Sequence, residues 1–269
     1  MQVKKTTVNK TPAPVAAGTR VRLGNSEVEF GRQIEELADS SSLAADIGAL
    51  RQRLKTDGYL FLRGFVPRGR VMAARHEILS LLNGVGCLTH GVPLDVGLIG
   101  LEPGRRRVPS NPATATTLCY DVQHHSQSVI FRPTAEPPRF SHFEALVKTP
   151  RLLEFFGALA GGPVETRYHQ AVPQAVPTGE FSGVHCDSVY FGPQDDHLLT
   201  CWMPLGDIPL ELGPLALLRE GPDCARIHET YGRMVVARDG IEPWFSTNAL
   251  EMVDTFGGRW LSANFLMGD

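Results

Sequence analysis

Helical periodicity dominates the first 160 or so residues of this 269-residue chain, and beyond them the sequence breaks mostly into short β-prone runs separated by Gly and Pro, apart from a polar, helical-looking segment at 224–233. That ordering limits the fold more than any other feature. Residues 43–56 set Ile47, Leu50 and Leu54 at helical spacing, with Gly58 as a natural stop. A β-prone run at 59–62 closes at Gly64, and Pro67 opens a second helix with Val71, Ala74, Ile78 and Leu82 on one face, ended by Asn83 and Gly84. Two further helical stretches are predicted at 143–147 and, opened by Pro150, at 152–159. Strands are then expected over 164–172, 183–191, 198–205, 213–218 and 258–265. Helices gathered ahead of a series of short strands predict an α+β protein with an antiparallel sandwich or barrel.

The chain is long enough to bury a sizeable core, and one large domain over residues 21–269 is expected behind a flexible, weakly basic tail at 1–20. The formal net charge of -3 gives no electrostatic case for nucleic acid or an anionic membrane. The 27 glycines and 20 prolines exceed their usual combined share of about 12%, which suits a fold rich in turns and long loops. The five cysteines (Cys87, Cys119, Cys186, Cys201 and Cys224) never form a C-x-x-C pair, so neither a disulfide framework nor a structural zinc site is indicated. No secretory h-region and no run of about 18 apolar residues is present, and a cytoplasmic location is the expectation.

The candidate site lies in the run GVHCDSVYF at 183–191. On a strand, side chains alternate between faces, so His185 and Asp187 are expected on one side and Cys186 on the other, as a buried apolar-like thiol. Two readings stand: the pair supplies two thirds of a 2-His-1-carboxylate site for non-haem Fe(II), or the His merely donates to a neighbouring carboxylate. Adjacent His124 and His125 would diverge from each other and are read as surface or loop residues. The Gly- and Pro-rich stretch 91–117 is expected to be a long loop, and Arg105 to Arg107 within it form either a solvated charge run or a substrate-facing patch. No G-x-S-x-G, P-loop or G-x-G-x-x-G motif is present.

Taken together, TDGYLFLRG at 56–64, TPRLL at 149–153, His185-Cys186-Asp187, CWMPLGD at 201–207 and ELGPL at 211–215 resemble the phytanoyl-CoA dioxygenase family, in consistent order over roughly residues 45–269. The resemblance implies a double-stranded β-helix, the jelly roll of cupin-like proteins, with Fe(II) as cofactor and 2-oxoglutarate and O2 as cosubstrates. It implies hydroxylation of a small-molecule substrate, coupled to conversion of 2-oxoglutarate to succinate and CO2. Carried over by position, His185 and Asp187 correspond to the first two iron ligands. Trp202 corresponds to an aromatic lining the cosubstrate pocket, or else is a core residue. His169 and Gln170 are candidates to face the cavity and hydrogen-bond cosubstrate or substrate, only one of them if they alternate, and Tyr190, a further cofactor-binding candidate, either points inward or caps the sheet.

The sequence departs from the family pattern near its end. Past the Gly-Asp turn, here Gly268-Asp269, family members continue into a strand carrying the distal His ligand and then an Arg for the far carboxylate of 2-oxoglutarate. Neither stands at its expected place in this sequence, so the jelly roll is expected to be C-terminally incomplete and iron binding weak. His197 and His228 are read as surface or turn residues, and Arg259 does not match the position of the family's Arg. LREG at 218–221 replaces a Pro-Gly-Ser-His-like turn, a change to a loop. Two function classes follow: an Fe(II)/2-oxoglutarate oxygenase, or a catalytically dead jelly roll kept as a binding or scaffold module.

Overall fold

Asp46 begins the first helix by accepting from Ala49 N–H at 2.9 Å, and Gly58 ends it at φ 78°, a conformation that costs a glycine little. The computed structural model describes residues 12–84, 88–97, 116–120, 129–133, 141–166, 183–191, 198–221, 223–242 and 244–269. Along the chain run β1 (Arg20–Leu23), β2 (Ser26–Glu29), β3 (Ile34–Glu36), α1 (Ile47–Asp57), α2 (Arg68–Gly84), β4 (Thr116–Tyr120) and β5 (Val129–Pro133). After them come α3 (Ser141–Val147), α4 (Pro150–Ala160), α5 (Ser188–Phe191), β6 (Leu217–Arg219), α6 (Ala225–Glu229), α7 (Val236–Asp239), α8 (Ala249–Asp254) and β7 (Arg259–Ser262).

The expected helices form, and each is held by contacts from another. Val71, Ala74 and Ile78 are buried on the predicted face of α2, where they pack with Phe143 and Leu146 of α3. Glu77 of α2 accepts from Phe143 N–H at 2.9 Å, so a carboxylate sits at the positive N-terminus of α3. Thr149 caps α4 by accepting from Leu152 N–H, with Pro150 in its first turn. Arg51 of α1 donates to the carbonyls of Ala158 and Leu159 at the other end of α4, satisfying acceptors that the helix leaves open.

The strands differ more from expectation. Among the described residues they form β1–β2, β4–β5 and a three-stranded sheet in the order β3-β7-β6, with no closed barrel. In the last sheet β3 runs parallel to β7, and β6 runs antiparallel to it. Trp260 at its centre is buried and donates its indole N–H to Ala249 O at 2.8 Å. The run at 59–62 contributes one isolated bridge, Phe61 to Asp39, and 198–205 forms no strand. The expected tail at 1–20 is too long. Gly18 N–H and Thr19 O both pair with Phe30, and Arg20 lies opposite Glu29 in a hairpin that turns at Gly24-Asn25.

No helix among the described residues is long and apolar enough to cross a membrane. The predicted strand at 164–172 lies outside the described residues from 167 onward. Arg105 to Arg107, His124, His125 and His197 lie outside them too.

Candidate functional site

Residues 183–191 bring His185 and Asp187 together, but through a turn and not a strand. Val184 makes one antiparallel bridge, its N–H donating to Ser246 O at 2.8 Å and its carbonyl accepting from Phe245 N–H at 2.6 Å. The chain then turns at Asp187 into α5, with Val189 N–H donating to Cys186 O and Tyr190 N–H to Asp187 O. Val189 is fully buried in the core cluster that also holds Tyr231 and Trp260, which fastens the turn to the body of the protein. The expected alternation of faces is thereby corrected: the turn, not the pleat, puts the two side chains side by side.

His185 Nε2 lies 3.6 Å from Asp187 Oδ1, and each residue commits its remaining polar atom elsewhere. His185 Nδ1 is 3.0 Å from the carbonyl of Gly183. A carbonyl only accepts, so the proton of the hydrogen bond is on Nδ1, and in the neutral ring the Nε2 lone pair faces Asp187. Asp187 Oδ2 accepts from Thr200 Oγ1 at 2.5 Å. The arrangement admits two chemistries: a protonated ring donating from Nε2 to the carboxylate, or a neutral ring and the carboxylate sharing a cation.

Gly183 is where this local geometry demands glycine. Its φ is 76°, and a Cβ there would sit 2.6 Å from Trp244 Cβ and 3.3 Å from Ser246 O. The same bridge that forces the close approach also aims the Gly183 carbonyl at the imidazole.

Tyr190 packs edge-on against His185, with ring centroids 5.5 Å apart. Partial burial, followed by the charge of Asp187, pushes its phenol above the ordinary value. Below, burial and then the neighbouring Tyr190 and Cys186 push the Tyr231 phenol up to about 12. Burial likewise raises the Cys186 thiol, though the residue is only partly buried where a buried thiol is expected.

Trp202 stands two residues beyond Thr200. It is an exposed side chain whose ring centroid lies 4.8 Å from that of Phe265, so it is not a core Trp. Leu198 and Leu199, just before Thr200, are exposed as well. His169 and Gln170 lie outside the described residues. His228 is on α6, exposed, and pairs with Glu220. Arg259 pairs with Glu35, which Arg219 also engages at 2.9 Å. Among the described residues no group of three or more His, Cys, Asp and Glu side chains gathers as a metal cage.

Reading the sequence missed Thr200 and the Gly183 carbonyl. A hydroxyl 13 residues from Asp187 has no local period to betray it, and a backbone acceptor has no sequence letter at all.

The chain is 24% identical over 220 residues to the 1-deoxypentalenic acid 11-beta-hydroxylase of Streptomyces arenae, an alignment covering 77% of this chain and 67% of that one. No family model and no solved structure matches the chain. The likeness gives the chain a distant relationship to a hydroxylase.

Proposed function

We propose that this protein is a non-haem Fe(II)- and 2-oxoglutarate-dependent oxygenase on a jelly-roll scaffold, with His185 and Asp187 as two of the metal's protein ligands. The observation that carries the reading is the bracing of the pair: His185 Nδ1 is held by Gly183 and Asp187 Oδ2 by Thr200, which leaves Nε2 and Oδ1 facing each other at 3.6 Å. The donors fit such an ion. A neutral imidazole with a hard carboxylate is the donor chemistry that suits Fe(II) with open positions. The distant relationship to a hydroxylase supports the reaction type. Free thiols at Cys186, Cys201 and Cys224 agree with work in the reducing cytoplasm.

The chemistry iron supplies in such a site couples conversion of 2-oxoglutarate and O2 to succinate and CO2 with insertion of one oxygen atom into a substrate C–H bond. The protein's own residues bind and orient. Asp187 would contribute one negative charge toward the cation and His185 would bind it without adding charge, while Tyr190 walls the imidazole on one side. Leu198, Leu199 and Trp202, exposed next to Thr200, offer apolar surface for the hydrocarbon part of a small organic substrate.

Anaerobic addition of Fe(II) and 2-oxoglutarate to the full chain tests the proposal through the metal-to-ligand charge-transfer band. A weak band, lost in His185→Ala and in Asp187→Ala, is the expected result. A band that survives both substitutions, or none in the unmodified protein, contradicts it.

A further inference from the structure

The two oxygens of Asp187 have different surroundings. Oδ1 faces His185, while Oδ2 accepts from the Thr200 hydroxyl at 2.5 Å, the short end of the range for a hydroxyl on a carboxylate. Thr200 arrives from the separate 198–205 segment, so the contact ties two parts of the chain together at the acid. The Asp187 side chain is 43% exposed and sits at a turn, a setting in which a carboxylate would otherwise rotate about its side-chain torsions.

From this we infer that Thr200 is a positioning residue for the metal half-site: by holding Oδ2, its hydroxyl restricts Asp187 to coordination through Oδ1 and keeps that oxygen turned to His185. The inference rests on the reading of His185 and Asp187 as ligands. A carboxylate free at both oxygens can chelate and take two coordination positions. One that gives an oxygen to a hydroxyl takes a single position and leaves the other for small-molecule donors. A hydroxyl suits the task better than a cationic donor, because it braces the acid without cancelling the negative charge the ion needs. Threonine's branched Cβ adds stiffness that serine lacks.

The test is optical titration of the full chain with Co(II), whose visible absorption reports both affinity and coordination number. It compares the unmodified protein with Asp187→Ala, Thr200→Val, Thr200→Ala and Thr200→Ser. Thr200 is exposed, so the unfolding midpoints of its variants should stay close to that of the unmodified protein, and the alanine variant removes the hydroxyl without adding bulk should valine disturb the fold. The expected result is an Asp187-dependent Co(II) spectrum, affinity lower by about 10-fold or more in the valine and alanine variants with a changed absorption intensity, and recovery in the serine variant. Valine and alanine variants that bind as tightly as the unmodified protein, with the same spectrum, overturn the role of Thr200 and leave the ligand reading intact. Absence of any Asp187-dependent spectrum in the unmodified protein overturns the ligand reading, and this inference with it.

Discussion

The Nδ1 atom of His185 stands 3.0 Å from the carbonyl oxygen of Gly183, two residues back in the chain. That contact fixes which imidazole nitrogen carries the proton, and it exists because Gly183 adopts a left-handed conformation against Trp244. The aim of the imidazole is thus built into the backbone.

Gly183→Ala should therefore disturb stability and site together. Alanine pays about 1–2 kcal/mol for the left-handed backbone alone, and its methyl would meet Trp244 Cβ at 2.6 Å. Denaturant unfolding should show a loss of about 2 kcal/mol or more. An unchanged midpoint would mean that the 183–191 turn is placed differently.

Asp269 supplies a second, purely structural test. Its side chain is 1% exposed, binds Arg63 at 2.6 Å, and accepts from Gly64 and Leu266 N–H at 2.9 Å each. Asp269→Ala strands Arg63, itself 17% exposed, and two backbone donors, so a loss of about 3 kcal/mol is expected in chemical unfolding. Asp269→Asn, which drops the charge but keeps one of the two accepting oxygens, should lose less.

Asp207 gives the chain an acid dependence with a definite sign. Hydrogen bonds from Arg68 hold its carboxyl below the usual carboxylate range against the opposing effect of burial, with help from Met267 N–H at 2.9 Å. A depressed folded value means that the stabilisation is present above the ordinary carboxylate value, near pH 4, and is lost as pH falls through the lower one. The ion pair is about half exposed, so solvent screening leaves it worth about 1 kcal/mol or less. Thermal unfolding of the unmodified protein and Asp207→Asn should differ by a constant margin from pH 7 to about pH 4 and converge below that.

The helices were legible because their signals are local. Asp46 and Gly58 bracket α1, and Thr149 with Pro150 opens α4, each within four residues of the backbone group it serves. The β1–β2 hairpin carries such a signal in Gly24-Asn25, and of its strands only Arg20 falls within the expected tail. The run at 183–191 misled because its alternating apolar residues fit a strand. The conformation of Gly183 and the turn at Asp187 are instead settled by Trp244, Ser246 and the pocket that takes Val189, all supplied by distant sequence. His185 and Asp187 are candidates from chemistry and resemblance alone, whereas Thr200 becomes one only because the fold sets it beside the acid.

Whether these two residues grip a divalent ion is read most directly by NMR with substoichiometric Mn(II), which broadens signals according to distance and so locates even a weak site. The account predicts that amides of 183–190 and Thr200 broaden first, and that His185→Ala and Asp187→Ala each abolish the effect. Broadening centred elsewhere, or unchanged by either substitution, would contradict it.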